Sequence, residues 1–127
     1  MDVAGLGSCK IGAFAAVLDR DSARTFYRDT LGLTLVSEDE FALVFDANGI
    51  SLRVSPVREM TAAPYTVLGW EVPDIAVMVR LLTSRGVQFE RYGFMKQDEL
   101  GIWNAPGGTR VAWFKDPSGN TLSLAQH

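Results

Sequence analysis

A chain of 127 residues, 47% hydrophobic and 21% charged, is long enough for one ordinary hydrophobic core and too apolar for a disordered segment. Its formal net charge of -3, with no block of basic residues, excludes nucleic acid as the main partner, because no cationic stripe is present to displace counterions. No apolar run approaches the ~20 residues of a spanning helix, and Met1 to Ser8 has neither a basic region nor a long apolar stretch, so neither membrane association nor a signal peptide is expected.

The single cysteine, Cys9, has no partner for an internal disulfide and suits a reducing compartment; a cytoplasmic location is the expectation. Cys9 to Val17 reads as a strand. Leu18-Asp19-Arg20-Asp21-Ser22 then opens a helix, with Asp19 or Asp21 as N-cap. Ala23, Phe26, Tyr27 and Leu31 form one apolar stripe, and Gly32 is placed to stop it. Leu33 to Ser37 is a second strand, followed by the acidic turn Glu38-Asp39-Glu40. Phe41 to Asp46 and Ile50 to Ser55 form a hairpin about Ala47-Asn48-Gly49.

Residues 56–64, bounded by Pro56 and Pro64, read as a linker. Tyr65 to Val72 is a strand ending in Val72-Pro73-Asp74, the counterpart of Val17-Leu18-Asp19 at an offset of 55. Ile75, Met78, Val79 and Leu82 make a second helical stripe, stopped at Gly86, and Val87 to Tyr92 reads as the next strand. Arg110 to Lys115 and Thr121 to Leu124 alternate with period two around the turn Asp116-Pro117-Ser118-Gly119-Asn120. Aligning Gly49 with Gly119 sets the offset there at 70, so the segment 93–108 has no equally long counterpart in the first half. The pattern predicts an α+β fold built from a duplicated βαβββ unit in a single domain. The first module covers residues 9–55 and the second residues 65–125.

Five pieces carry a resemblance to a known family: Val17-x-Asp19, Phe26-Tyr27-Arg28-Asp29-Thr30-Leu31-Gly32, Val72-x-Asp74, Ser84-Arg85-Gly86-Val87, and Phe114-Lys115-Asp116-Pro117-Ser118-Gly119-Asn120. In order and spacing the chain resembles the vicinal oxygen chelate superfamily, which includes glyoxalase I, extradiol dioxygenases and bleomycin-resistance proteins. The resemblance implies two cupped half-barrels enclosing a pocket and, for a short two-module chain, a homodimer. It also implies a divalent metal held by one residue on the first and one on the last strand of each module. Carried over, those four positions are Gly12, Arg53, Val67 and Ser123. Glycine and valine have no donor, arginine repels a cation, and serine is a weak neutral ligand. The only histidine is His127, at a chain end where fraying is expected. A carboxylate set of Glu71, Asp98 and Glu99 is the remaining option. The expectation is therefore no metal and no other cofactor.

No set of catalytic residues is identified either. Cys9 lacks a histidine partner for nucleophilic chemistry, Glu38-Asp39-Glu40 and Asp98-Glu99 lie in turn-like segments, and Gly5-x-Gly7 lacks the strand-to-helix setting of a phosphate loop. Period two places Phe14, Arg53, Glu71, Trp113 and Ser123 on the faces that the resemblance turns toward the pocket. Arg53 either holds an anionic or carbonyl group of a ligand, pairs with Glu71 across the cavity, or keeps its head in water at the rim. Trp113 is read as a stacking wall, and Trp103 as a cover for the pocket mouth or a packing residue. The function these residues imply is metal-free binding or sequestration of a partly aromatic or anionic small molecule, with Arg53, Trp113, Ser123, Phe14, Glu71 and Trp103 as contacts. The alternatives are a divalent-metal-dependent lyase, isomerase or dioxygenase, and a structural dimer whose pocket is filled by side chains.

Overall fold

Asp19 and Asp74 place the two helices. Each sits in extended backbone and accepts a hydrogen bond from a backbone N–H three residues on, Ser22 for α1 (Arg20–Thr25) and Val77 for α2 (Ile75–Ser84). A second cap reaches α2 from far along the chain, where the Ile75 N–H donates to Gln126 Oε1 at 2.9 Å. The helix α1 passes directly into a π-helical turn, Phe26–Thr30, closed by Leu31 N–H to Phe26 O at 2.9 Å. These features belong to a computed structural model describing residues 5–127; residues 1–4, part of the lead read above as lacking a signal peptide, lie outside it.

The strands form two four-stranded mixed sheets of identical topology. The first contains β1 (Gly12–Val17), β2 (Thr34–Glu38), β3 (Leu43–Ala47) and β4 (Ile50–Pro56) in the order β1-β4-β3-β2, with β1 and β4 parallel. The second contains β5 (Thr66–Glu71), β6 (Trp103–Asn104), β7 (Arg110–Lys115) and β8 (Thr121–Gln126) in the order β5-β8-β7-β6, with β5 and β8 parallel. The repeated βαβββ module read from the sequence is thus present twice. In the β3–β4 hairpin, Asn48 and Gly49 both take positive φ (52° and 90°), the twist a two-residue connection between antiparallel strands demands.

One face of each sheet is buried against the helices and the other is left open. Val17, Leu43, Phe45, Leu52 and Val54 on the first sheet join Ala112, Phe114, Leu122 and Leu124 on the second and Tyr27, Ile75, Val79 and Leu82 from the helical layer in one continuous core. Each fully buried side chain of this size contributes about 1.5–3 kcal/mol relative to exposure. The Asp-Pro-Ser-Gly-Asn turn locks the modules together. Asp116 Oδ2 accepts from the Tyr27 hydroxyl at 2.7 Å, Asn120 Nδ2 donates to Ala16 O at 2.7 Å, and Ser118 Oγ accepts from Leu18 N–H at 2.9 Å.

Three expectations are corrected. The first strand begins at Gly12, because a 3-10 turn at Gly5–Ser8 precedes it. The linker starts one residue late, since β4 runs through Pro56. The larger correction concerns residues 87–92, which form no strand of their own beyond a single bridge between Phe89 and Phe114. The Gln97 side chain takes the partners a strand neighbour would use: its Nε2 donates to Glu90 O and Gly101 O, and its Oε1 accepts from Tyr92 N–H. The edge beside β7 is therefore shared. Phe89 and Glu90 flank its second half, and β6, drawn from the extra segment, pairs with Val111 and Arg110. Among the described residues no helix is long and apolar enough to cross a membrane.

Candidate functional site

Register decides which residues share the open faces. On the first sheet Gly12 lies opposite Ser51, Phe14 opposite Arg53 and Ala16 opposite Ser55. Leu52 and Val54, between them, are buried toward the helices, so Phe14 and Arg53 stand on the open side, and Phe14 is 69% exposed there. On the second sheet Ser123 is flanked by Gly69 and Trp113, and Ala125 by Glu71 and Val111. Gly69 leaves room for the serine hydroxyl: a Cβ at that position would lie 2.8 Å from Ser123 Oγ.

The four positions of the implied metal site do not fit a divalent ion. Gly12 has no donor and Arg53 is a fixed cation. Val67 is the extra residue at a register shift between Thr66 and Leu68, and Ser123 is a single neutral hydroxyl. No group of three or more His, Cys, Asp or Glu side chains comes together among the described residues, and Glu71, Asp98 and Glu99 form no such set. Asp98 is committed elsewhere, accepting from Leu100 and Ile102 N–H, both at 2.9 Å.

Of the three alternatives for Arg53, pairing with Glu71 is not seen among the described residues. Glu71 closes the end of β5, where its carboxylate lies 3.3 Å from Nε2 of His127. His127 is not frayed: β8 runs to Gln126 and carries the ring between Glu71 and Thr109 Oγ1, which is 3.1 Å from Nδ1. Arg53 instead contributes to the field at Asp39. That carboxyl is held below its usual range chiefly by the N–H groups of Phe41 and Ala42, with Arg53 adding to the effect. Glu71 also borders an apolar slot of about 240 Å³ between Leu31, Leu33, Trp70 and Met78.

Trp113 is the centre of an aromatic cluster. Tyr92 meets it edge-on at a centroid distance of 5.6 Å and 77°, and Trp103 lies 6.1 Å away at 33°, brought there by the β6–β7 pairing. Trp103 thus packs against a neighbour. Phe94 extends the row, 5.8 Å from Tyr92 and 83% exposed. Between this row and the inter-module linker lies a cleft of about 550 Å³. Its floor is Trp113, Lys115 and Thr121, one wall is 62–66, and the other is Tyr92, Phe94 and Met95. Burial, with Glu90 nearby, pushes the Tyr92 phenol up, so it remains a neutral hydroxyl near pH 7.

The structure therefore brings Trp113 and Trp103 together, with Ser123 opposite Trp113, while Arg53 and Phe14 lie on the other sheet and do not line the cleft. Of the residues named from the sequence, Trp113 lines this cleft, and Lys115, Tyr92, Phe94 and Met95 were not among those named. Lys115 was available to sequence reasoning, two residues beyond Trp113 on the same strand. The other three lie in a loop with no periodicity to read.

Comparisons with known proteins agree with this architecture. The bleomycin-binding protein solved in complex with bleomycin is similar over 94% of this chain and 99% of its own, at 21% identity and a TM-score of 0.73. A glyoxalase family protein from Enterococcus faecalis is similar over 94% of this chain and 98% of its own, at 18% identity and a TM-score of 0.73. A lactoylglutathione lyase from Agrobacterium tumefaciens is similar over 94% and 93%, at 16% identity and a TM-score of 0.72. At these identities the likeness is one of fold. A search of curated proteins finds no significant match. The family model of the Glyoxalase/Bleomycin resistance protein/Dioxygenase superfamily matches residues 10–124, and to that superfamily this chain belongs.

Proposed function

We propose that the protein binds a partly aromatic or anionic small molecule on the open face of its second module, without a catalytic divalent ion. The observation that carries this reading is the replacement of the implied metal donors by Gly12, Arg53, Val67 and Ser123 beside an intact aromatic surface at Trp113. An ion stripped of its hydration needs charged or imidazole ligands in return, and these positions offer neither. Trp113, backed by Trp103, supplies the stacking surface, and Ser123 a hydroxyl beside it. Arg53 and Phe14 present a cation and an aromatic ring on the open face of the first sheet, which a second copy of the chain covers in a homodimer. The bleomycin-bound neighbour supports small-molecule binding in this fold.

A metal-dependent enzyme finds Glu71 and His127 side by side, one donor short of a typical catalytic centre, and no group of three or more His, Cys, Asp or Glu among the described residues. Elemental analysis of protein purified without added metal, followed by titration of aromatic carboxylates in the presence of a chelator, tests the proposal. Substoichiometric zinc, nickel, manganese and iron with undiminished binding are expected. A stoichiometric ion whose removal abolishes binding would refute it.

A further inference from the structure

Resting on the binding reading above, we infer that the cleft beside Trp113 takes a planar aromatic ring bearing one anionic group, and that Lys115 is the residue that selects it. Three observations converge. The cleft, about 550 Å³, has the size of a small-molecule site. Its walls present aromatic surface from both sides: Tyr65 on the linker side, 67% exposed, and Tyr92 and Phe94 on the loop side, with Trp113 between them. Rings exposed to water in this arrangement gain from covering one another's faces, and a flat ligand fills the gap between them.

The charge pattern then sets the sign of the ligand. Among the described residues Lys115 is the one charged side chain lining the cleft, and no carboxylate lines it. An aromatic box alone also suits a cation, through the negative faces of its rings. A fixed ammonium in the same space opposes a cationic guest and favours an anionic one. Lys115 also borders a neighbouring groove with Glu90 and Arg85, yet among the described residues it forms no ion pair within 4.0 Å. Trp113 and Lys115 lie on the same side of β7, roughly 7 Å apart along the strand. A ring stacked at Trp113 therefore holds a carboxylate directed at the ammonium, while the Thr121 hydroxyl, on the floor of the same cleft and opposite Lys115 in register, is available as a neutral partner.

Calorimetric titration with 2-naphthoate, 2-naphthamide and a naphthyl-trimethylammonium salt tests this. The carboxylate should bind about tenfold or more tightly than the amide, the margin of a charge-assisted hydrogen bond, and the ammonium least. Lys115→Met, at an exposed position, should bring the carboxylate down to the level of the amide and leave the amide unchanged. Phe94→Ala should weaken both by the same factor. Equal binding of carboxylate and amide, tighter binding of the ammonium, or a preference that survives Lys115→Met and disappears in Arg53→Met would overturn the inference while leaving the binding reading in place. Failure of all three probes to bind the wild type would overturn both.

Discussion

Tyr27 and Asp116 show what a single hydrogen bond does when it crosses the molecule. The phenol is fully buried and donates to Asp116 Oδ2 at 2.7 Å, across 89 residues of sequence. Burial and the adjacent carboxylate push the Tyr27 phenol far above its usual range, so it remains a donor at every pH the protein meets. Asp116 also accepts from the N–H groups of Ser118 and Asn120, both at 2.9 Å, and from Asn120 Nδ2 at 2.8 Å. Removing the phenol oxygen deprives a buried carboxylate of one donor. Tyr27→Phe should cost about 1.5–3 kcal/mol in urea unfolding, the range for hydrogen bonds to charged groups. The sequence identified Tyr27 as packing between helix and sheet and Asp116 as a turn residue. It held no signal that the two meet, because their contact is a product of the module arrangement.

At the scale of elements, side chains that substitute for backbone partners govern the departures from the expected pattern. Gln97 occupies the hydrogen bonds of Glu90 and Tyr92, and Arg91 binds the carbonyls of Asp98 and Glu99, so the extra segment is stapled at several points. Gln97→Ala should raise amide exchange at Tyr92, whose N–H loses its acceptor, while exchange within β4 stays unchanged. In the first module the edge strand β2 is tied to α1 by Glu38, which pairs with Arg24 at 2.5 Å and Arg20 at 3.2 Å. The Arg24 hydrogen bond, followed by Arg20, holds the Glu38 carboxyl at about 2 instead of 4.5. A folded-state value below the unfolded one means the folded protein binds fewer protons. The contribution is complete above 4.5 and lost as pH falls toward 2. The melting temperature of wild type should therefore fall more over that window than that of Glu38→Gln, by a modest margin because the pair is partly solvated.

Across the whole molecule, the two modules share one core and one clamp, so neither has a complete interior alone. Tyr27 packs against Phe45 of its own sheet at 5.8 Å, while Phe26 beside it reaches Phe114 of the other at 6.4 Å. Chemical unfolding should show one cooperative transition, with circular dichroism and tryptophan fluorescence coincident, although all three tryptophans lie in the second module. Two separated transitions would mean that the modules fold independently. The chain's own residues were sufficient for the module, its duplication and the capping region of the first helix, because these follow from periods of 2 and 3.6 and from short-range turn chemistry. Which side chains stand at the four positions that the resemblance assigns to a metal, Gly12, Arg53, Val67 and Ser123, is likewise a matter of sequence alone. Where the aromatic cleft lies was decided by the tertiary structure. A loop, a linker and a strand meet there through contacts far apart in sequence, and neither the approach of Tyr92, Phe94 and Met95 to Trp113 nor the meeting of Glu71 with His127 follows from any local pattern.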